Sequence, residues 1–104
     1  MGKIQYPPPT PARDDITKQC FTYGEVLEIE FGVSGYFSHD NAEAFEPDPP
    51  TGNFVAPPIV DISQYHAVAQ DSTVTFSFFD TANGKTYKNE ITILKTCPPT
   101  NGGS

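Results

Sequence analysis

The sequence predicts an all-β fold, an antiparallel β-sandwich, and three observations support this. Apolar and polar residues alternate on both sides of the turn pair Asn83-Gly84, as they do in a hairpin with one side against a core. Residues 25–33 alternate in the same way. Nowhere is there a sustained apolar period of about 3.6 residues, which an amphipathic helix would show. A chain of 104 residues has room for one domain with a single two-layer core.

The hairpin of residues 72–94 is the best-defined element. Because Asn and Gly both tolerate a positive φ, Asn83-Gly84 predicts a two-residue type I′ turn. One side of each strand is apolar and the other is rich in Thr, Ser and Lys, which predicts a core side and a water side. The predicted inner side chains are Val74, Phe76, Phe78, Tyr87, Ile91 and Ile93.

Four further segments have strand character. They are 16–23, 25–33, a short run at 59–62 that follows two prolines, and 65–69. The segment 25–33 is the strongest of the four, because every second residue is apolar. Its predicted inner side chains are Leu27, Ile29 and Phe31.

Three acidic residues, Glu25, Glu28 and Glu30, crowd the segment 25–33. They would leave its polar side strongly negative. A neighbouring strand that carries Lys85 or Lys88 would relieve the repulsion by cross-strand pairing.

The sandwich domain is predicted to span 16–97, with irregular parts around and within it. Residues 1–15 contain four prolines between positions 7 and 11, which predicts an extended Pro-rich arm. Residues 34–58 lose the alternation and hold several Pro and Gly, which predicts a long irregular excursion. Residues 98–104 are expected to form a flexible tail.

The arm and the excursion carry the candidates for partner binding. Ile4 and Tyr6 are the only large apolar anchors in the arm. Phe37, Phe45 and Phe54 lie in the excursion, where solvated loops rarely keep three phenylalanines. The three phenylalanines would either pin the excursion to the body of the domain or offer it to a partner. We expect them, together with Ile4 and Tyr6, to bind a neighbouring protein.

Two cysteines, Cys20 and Cys97, bracket the apolar body. In an oxidising compartment a disulfide between them would close a loop of about 78 residues and contribute roughly 4 kcal/mol. In a reducing cytosol they would be two small buried thiols. The sequence leaves both alternatives open.

Composition excludes several classes of partner. Thirteen acidic and six basic residues give a net charge of −7, and no Lys or Arg occurs between Gln19 and Gly84. Nucleic acids and anionic lipids are bound through clustered cations, so we expect neither as a partner. No apolar run approaches the roughly 20 residues of a membrane span, so we expect no membrane insertion. The start of the chain lacks the apolar segment of a signal peptide, which suggests an intracellular chain or a module from a longer secreted protein.

No motif indicates catalysis, a cofactor or a metal site. Ser38, His39 and Asp40 are adjacent, so their side chains diverge and cannot form a hydrolytic triad. His66 is expected to be a half-exposed strand residue. Residues 39–48 hold the densest group of carboxylates, yet their spacing matches no calcium loop. We expect a solvated acidic loop there, with calcium binding as the open alternative.

The stretch VTFSFFDTANG at 74–84, followed by NEITI at 89–93, is similar to the closing hairpin of immunoglobulin-like and PKD-like modules. The resemblance implies an immunoglobulin-like β-sandwich. Modules of this type are common in bacterial surface proteins and also decorate bacteriophage particles.

Two functions are compatible with these features. We expect a non-enzymatic structural subunit of a larger assembly, such as a virion decoration, capsid-stabilising or tail protein of the bacteriophage type. It would be located in the virion or another assembled particle and attach to protein neighbours, including other copies, through its arm and loops. The alternative is an extracellular immunoglobulin-like adhesion or carbohydrate-binding module excised from a bacterial surface protein.

Overall fold

The computed structural model describes residues 2–8, 16–54 and 63–98, with Ser63 described by its backbone alone. All the regular structure in these ranges is β, which confirms the predicted all-β class. The strands are β1 (Gly2–Tyr6), β2 (Ile16–Thr22), β3 (Val26–Phe31), β4 (Gly35–His39), β5 (Phe45–Glu46), β6 (Gly52–Phe54), β7 (Ser63–Ala67), β8 (Ser72–Asp80) and β9 (Lys85–Leu94).

The strands form two sheets around one core, as in a β-sandwich. The four-stranded sheet has the order β1-β3-β7-β5, and the five-stranded sheet has the order β2-β9-β8-β4-β6. Both sheets are mixed, because β1 runs parallel to β3 and β2 runs parallel to β9. The expectation of a purely antiparallel sandwich is therefore wrong for the two N-terminal strands, each of which adds to a sheet edge.

The core contains the side chains that the alternation predicted. Residues of β3, β8 and β9 on the predicted inner sides are all buried. Aromatic rings fill much of the space between the sheets, and Tyr6 stacks on Phe78 with ring centroids 4.8 Å apart. The predicted inner residues that are buried are Leu27, Ile29, Phe31, Val74, Phe76, Phe78, Tyr87, Ile91 and Ile93.

The hairpin is present, but its turn differs from the prediction. The last pair of the ladder is Asp80 with Lys85, which leaves a four-residue loop. Of its residues only Gly84 has a positive φ, at 67°, so the turn is not type I′. The cause is Asp80, a fully buried residue whose carboxylate accepts hydrogen bonds from the backbone N–H of Ala82 and Asn83 and from the Asn83 amide. A carboxylate that accepts hydrogen bonds from backbone N–H groups two and three residues later in the chain stabilises this wider loop.

The first part of the expected arm is a strand of the sandwich. Gly2–Tyr6 pairs with β3 along its whole length, and Ile4 and Tyr6 are buried between the sheets. The prolines begin only at position 7, so they do not prevent the residues before them from joining a sheet. The arm prediction is therefore wrong for residues 2–6, and residues 9–15 lie outside the described residues.

The expected excursion also contributes to both sheets. It contains β4, β5 and β6, which are too short and too interrupted by Pro and Gly to show a clear period. Gly35 shows how tightly β4 packs, because a Cβ there would overlap the carbonyl oxygen of Phe79 and the ring of Phe78. The predicted strand at 59–62 and the tail from residue 99 onward lie outside the described residues.

The acidic side of β3 does not face the lysines that were expected to neutralise it. β3 lies between β1 and β7, whereas Lys85 and Lys88 belong to β9 in the other sheet. Glu30 instead pairs with Lys3 of β1, whose Nζ lies 3.3 Å from its Oε1. The prediction failed because it assigned β3 and β9 to one sheet.

Candidate interaction surface

The structure places the five predicted partner-binding residues inside this domain. Ile4, Tyr6, Phe37 and Phe45 are at most 3% exposed. Phe54 is half-buried and stacks on the core at a centroid distance of 4.3 Å from the ring of Phe31. These side chains hold the two sheets together, so a partner has no access to the four buried ones while the domain is folded.

A disulfide joins Cys20 of β2 to Cys97, which follows β9, with a Cα–Cα distance of 5.9 Å. The backbone N–H of Cys97 also donates to the hydroxyl of Thr22, at 3.1 Å. The link therefore attaches the edge strand β2 to the segment that leaves the sheet. Of the two alternatives left open by the sequence, the structure contains the bonded one.

The side chain of His39 is buried at the edge of the core. Its side chain is 3% exposed, and its Nε2 lies 2.9 Å from the carbonyl oxygen of Pro49 and 3.0 Å from a carboxylate oxygen of Asp48. Both neighbours are acceptors, so Nε2 carries the hydrogen. Ser38 points to the opposite side of β4 and is exposed, so the two side chains diverge.

The carboxylates of residues 39–48 line one end of the sandwich. Glu43, Glu46 and Asp48 border an open groove of about 790 Å³, together with Tyr23 and Asn41. Among the residues that the structure describes, no group of three or more His, Cys, Asp or Glu side chains is placed to hold a metal ion.

The outer side of the five-stranded sheet carries an exposed pair of aromatic rings. Tyr36 of β4 and Phe79 of β8 are partners in the strand register, and their ring centroids lie 6.2 Å apart. Tyr36 is 50% exposed and Phe79 is 37% exposed. Every Phe and Tyr of the chain lies in the described ranges, and Tyr23 is the one other exposed member. We call the outer side of this sheet the aromatic face.

Small hydroxyl side chains surround the two rings. The register places Thr86 beside Phe79 and Ser77 beside Ser38. Ile16 is 43% exposed and lies beside Lys88 at the β2 edge. The Ser and Thr residues whose strand positions place them on this side are Thr22, Ser38, Thr73, Thr75, Ser77, Thr86 and Thr92.

Few charges lie on the aromatic face. On its strands the outward charged residues are Lys18, Lys88 and Glu90. Asp40 lies at its margin, where its carboxylate accepts the backbone N–H of Thr75 at 2.8 Å. The face is therefore nearly neutral in a chain whose net charge is −7.

The outer side of the four-stranded sheet is acidic and internally bonded. The Gln5 amide donates to Glu30 at 2.8 Å, and the Gln64 amide donates to Glu28 at 3.4 Å. The hydrogen bond from Gln5, followed by the contact with the Lys3 ammonium, holds the pKa of Glu30 below its ordinary value. We call this side the acidic face.

A sequence signal for the aromatic face exists in two doublets. Tyr36-Phe37 and Phe78-Phe79 each place two aromatic residues next to each other. Successive side chains of a strand point to opposite sides, so one member of each doublet must face outward. Sequence reasoning missed this because it used Phe78 for the core and assigned Phe37 to an irregular segment.

The chain matches no family model, and neither the curated proteins nor the solved structures contain a significant match to it. In the described part of the chain, no helix has the length and apolar character needed to cross a membrane.

Proposed function

We propose that this protein is a non-enzymatic binding module, an immunoglobulin-like β-sandwich that attaches to a protein partner through its aromatic face. The observation that carries the proposal is the exposed Tyr36–Phe79 pair. Aromatic side chains are enriched at protein interfaces and supply much of their binding energy, because they bury a large area with few rotatable bonds.

A protein partner fits this face better than a sugar or a nucleic acid. The two rings are inclined to each other by 33°, so they do not form the flat platform on which a sugar chain stacks. A net charge of −7 opposes binding to phosphate backbones. A nearly neutral face with exposed aromatic rings resembles the core of a protein interface, where aromatic residues are enriched and charged residues are depleted.

The immunoglobulin-like assignment rests on the arrangement of the sheets. The N-terminal segment supplies an edge strand to each sheet, and the closing hairpin β8–β9 lies in the same sheet as β2 and β4. Together with the hairpin resemblance, this order supports a module of that type.

The Cys20–Cys97 disulfide favours a location outside a reducing cytosol. We therefore propose that the module works on a cell surface or on the outside of an assembled particle such as a virion. Attachment through the arm and loops loses its support, because four of the five residues expected to provide it are buried and Phe54 is half-buried against the core. We propose attachment through the aromatic face instead, whether the module works on a cell surface or on an assembled particle.

Site-directed photocrosslinking in the organism that makes the protein tests the proposal. A photoreactive phenylalanine analogue replaces Tyr36 in one version and Tyr23 in another, since these two tyrosines are equally exposed at 50% and 51%. We expect protein adducts from position 36 that disappear when Phe79→Ser is added, and few adducts from position 23. Adducts of equal yield at both positions, or adducts to glycan alone, would show that the aromatic face is not a protein-binding surface.

A further inference from the structure

We infer that the partner of the aromatic face is a second copy of this chain, bound face to face about a two-fold axis. This inference rests on the proposed function of that face and names its partner.

The distribution of charge favours this face for association between copies. Two molecules that each carry a net charge of −7 repel each other in most orientations. The described strands of the acidic face present Glu28, Glu30 and Glu46 against a single lysine, Lys3, and the groove adds Glu43 and Asp48. The strands of the aromatic face present two lysines and one glutamate instead. Copies therefore approach with the least repulsion when their aromatic faces meet.

The strand register makes the aromatic face complementary to itself. Lys88 and Glu90 are successive outward residues of β9, about 7 Å apart along the strand. In the proposed dimer the two-fold axis lies between the aromatic faces of the two copies and is perpendicular to β9. It passes midway between the positions of Lys88 and Glu90 along the strand. Rotation about this axis sets β9 of one copy antiparallel to β9 of the other. Lys88 of each copy then lies opposite Glu90 of its neighbour, which gives two equivalent charge pairs across an isologous interface.

The neighbouring rows of the face fit the same operation. Ser77 is in register with Lys88, and Thr75 is in register with Glu90, so these two hydroxyls also lie opposite each other between copies. Phe79 lies opposite Thr73, whose methyl group gives the exposed ring an apolar contact. No pair of like charges meets along β8 or β9 in this arrangement.

The size of the face suits a weak dimer. The strands present four outward positions in β2, two in β4, one in β6, four in β8 and five in β9. At about 4.8 Å by 7 Å for each position, these give roughly 550 Å² for each copy, or about 1,100 Å² in total. That is the lower end of the range for specific interfaces, so we expect a dissociation constant in the micromolar range.

Light scattering of the full chain over a concentration series, from low micromolar to near-millimolar, tests the inference. We expect a reversible dimer. Lys88→Glu alone and Glu90→Lys alone should each weaken it by about tenfold or more, since each places like charges opposite each other. An equimolar mixture of the two variants should restore dimers, because each copy then presents the charges that its partner lacks.

Glu28→Lys on the acidic face is the matched control for Glu90→Lys, since it changes the net charge by the same amount. It should leave the dimer at least as strong as in the unsubstituted protein. Near-identical melting curves of all variants would show that each one is folded.

A chain that stays monomeric throughout the series would overturn the inference. Equal weakening by Glu28→Lys, or a mixture that fails to restore dimers, would also overturn it. In each of these cases adducts from position 36 to a different protein would leave the proposed function intact, whereas the absence of such adducts would remove both.

Discussion

The two sheets present outer faces of opposite character over one shared core. On the acidic face, polar side chains bond to one another across strands, as Gln5 does to Glu30 and Gln64 to Glu28. On the aromatic face, Tyr36 and Phe79 contact each other and remain open to solvent. Packing of the core cannot explain this difference, because both sheets bury their inner sides equally well. Exposed rings on one face only are the reason for the binding role that we propose.

The faces also differ in how their N-terminal edge strands are attached. β2 is attached beside the aromatic face by the disulfide, whose Cys20 lies on an outward position. β1 is attached to the other sheet from the inside, by the burial of Tyr6 and by the hydrogen bond from its hydroxyl to Asn89, at 2.6 Å.

The largest expected effect comes from removal of the disulfide. Cys20→Ser combined with Cys97→Ser should lower the free energy of unfolding by roughly 4 kcal/mol, because the unfolded chain regains the freedom of a loop closed over most of its length. Urea unfolding of the variant beside the reduced unsubstituted protein measures this. A loss below about 1 kcal/mol in both samples would show that β2 is held by its ladder alone.

A smaller effect is expected from Tyr6→Phe, which keeps the ring and removes the hydroxyl. Loss of the hydrogen bond to Asn89 should cost about 1 kcal/mol. Burial also raises the pKa of the Tyr6 phenol. The contribution of Tyr6 to the free energy of unfolding is therefore complete below about pH 10, the ordinary tyrosine pKa. This contribution is lost as the pH rises above that value. The free energy of unfolding should decrease less steeply with rising pH in Tyr6→Phe than in the unsubstituted protein. Tyr36→Phe, which removes an exposed hydroxyl, is the control and should leave the slope unchanged.

The acidic face should respond to acid through Glu30. Its folded pKa lies below the ordinary value, so its contribution is complete above about pH 4.3 and is lost as the pH falls through the folded pKa. Carboxyl titration by NMR should show the pKa of Glu30 rising toward the ordinary value in Gln5→Ala, and rising less in Lys3→Ala. An unchanged titration in both variants would contradict the contacts that we assign to this carboxylate.

The smallest effect on stability is expected on the aromatic face. Tyr36→Ser and Phe79→Ser should each lower the free energy of unfolding by less than about 1 kcal/mol, the range expected for loss of one cross-strand aromatic pair. The same substitutions should abolish binding through this face. A loss of several kcal/mol without any change in binding would assign the rings a structural role and remove the contrast between the faces.

The sequence predicted the inner side chains of β3, β8 and β9 because long strands with one buried side show their period directly. It did not predict β1, β4, β5 or β6, because a strand of two to five residues beside Pro or Gly carries too little periodicity to be recognised. The error at Ile4, Tyr6, Phe37 and Phe45 has this cause. Apolar residues in a segment without a period were assigned to a partner, although they fill the core of this domain.

The candidate surface was harder to predict than the core. Phe79 could have been placed outward from its position after Phe78, since the alternation allows only one of the two inside. Its pairing with Tyr36 depends on β4 being the neighbour of β8, and that neighbour is decided by tertiary packing. The same holds for Asp80, whose buried carboxylate widens the turn that Asn83-Gly84 would otherwise form.

The pairing of β2 with β9 also sets the order of events during synthesis. β2 leaves the ribosome before the other strands of its sheet, yet it lies beside β9, the last strand in the described part of the chain. Contacts between such distant segments make folding slow, on the order of milliseconds to seconds, because the ends of a long loop must first meet. Until β9 has been synthesised, β2 has no strand to pair with and the apolar residues of the incomplete core are exposed. We therefore expect the incomplete polypeptide to be the form most prone to aggregate.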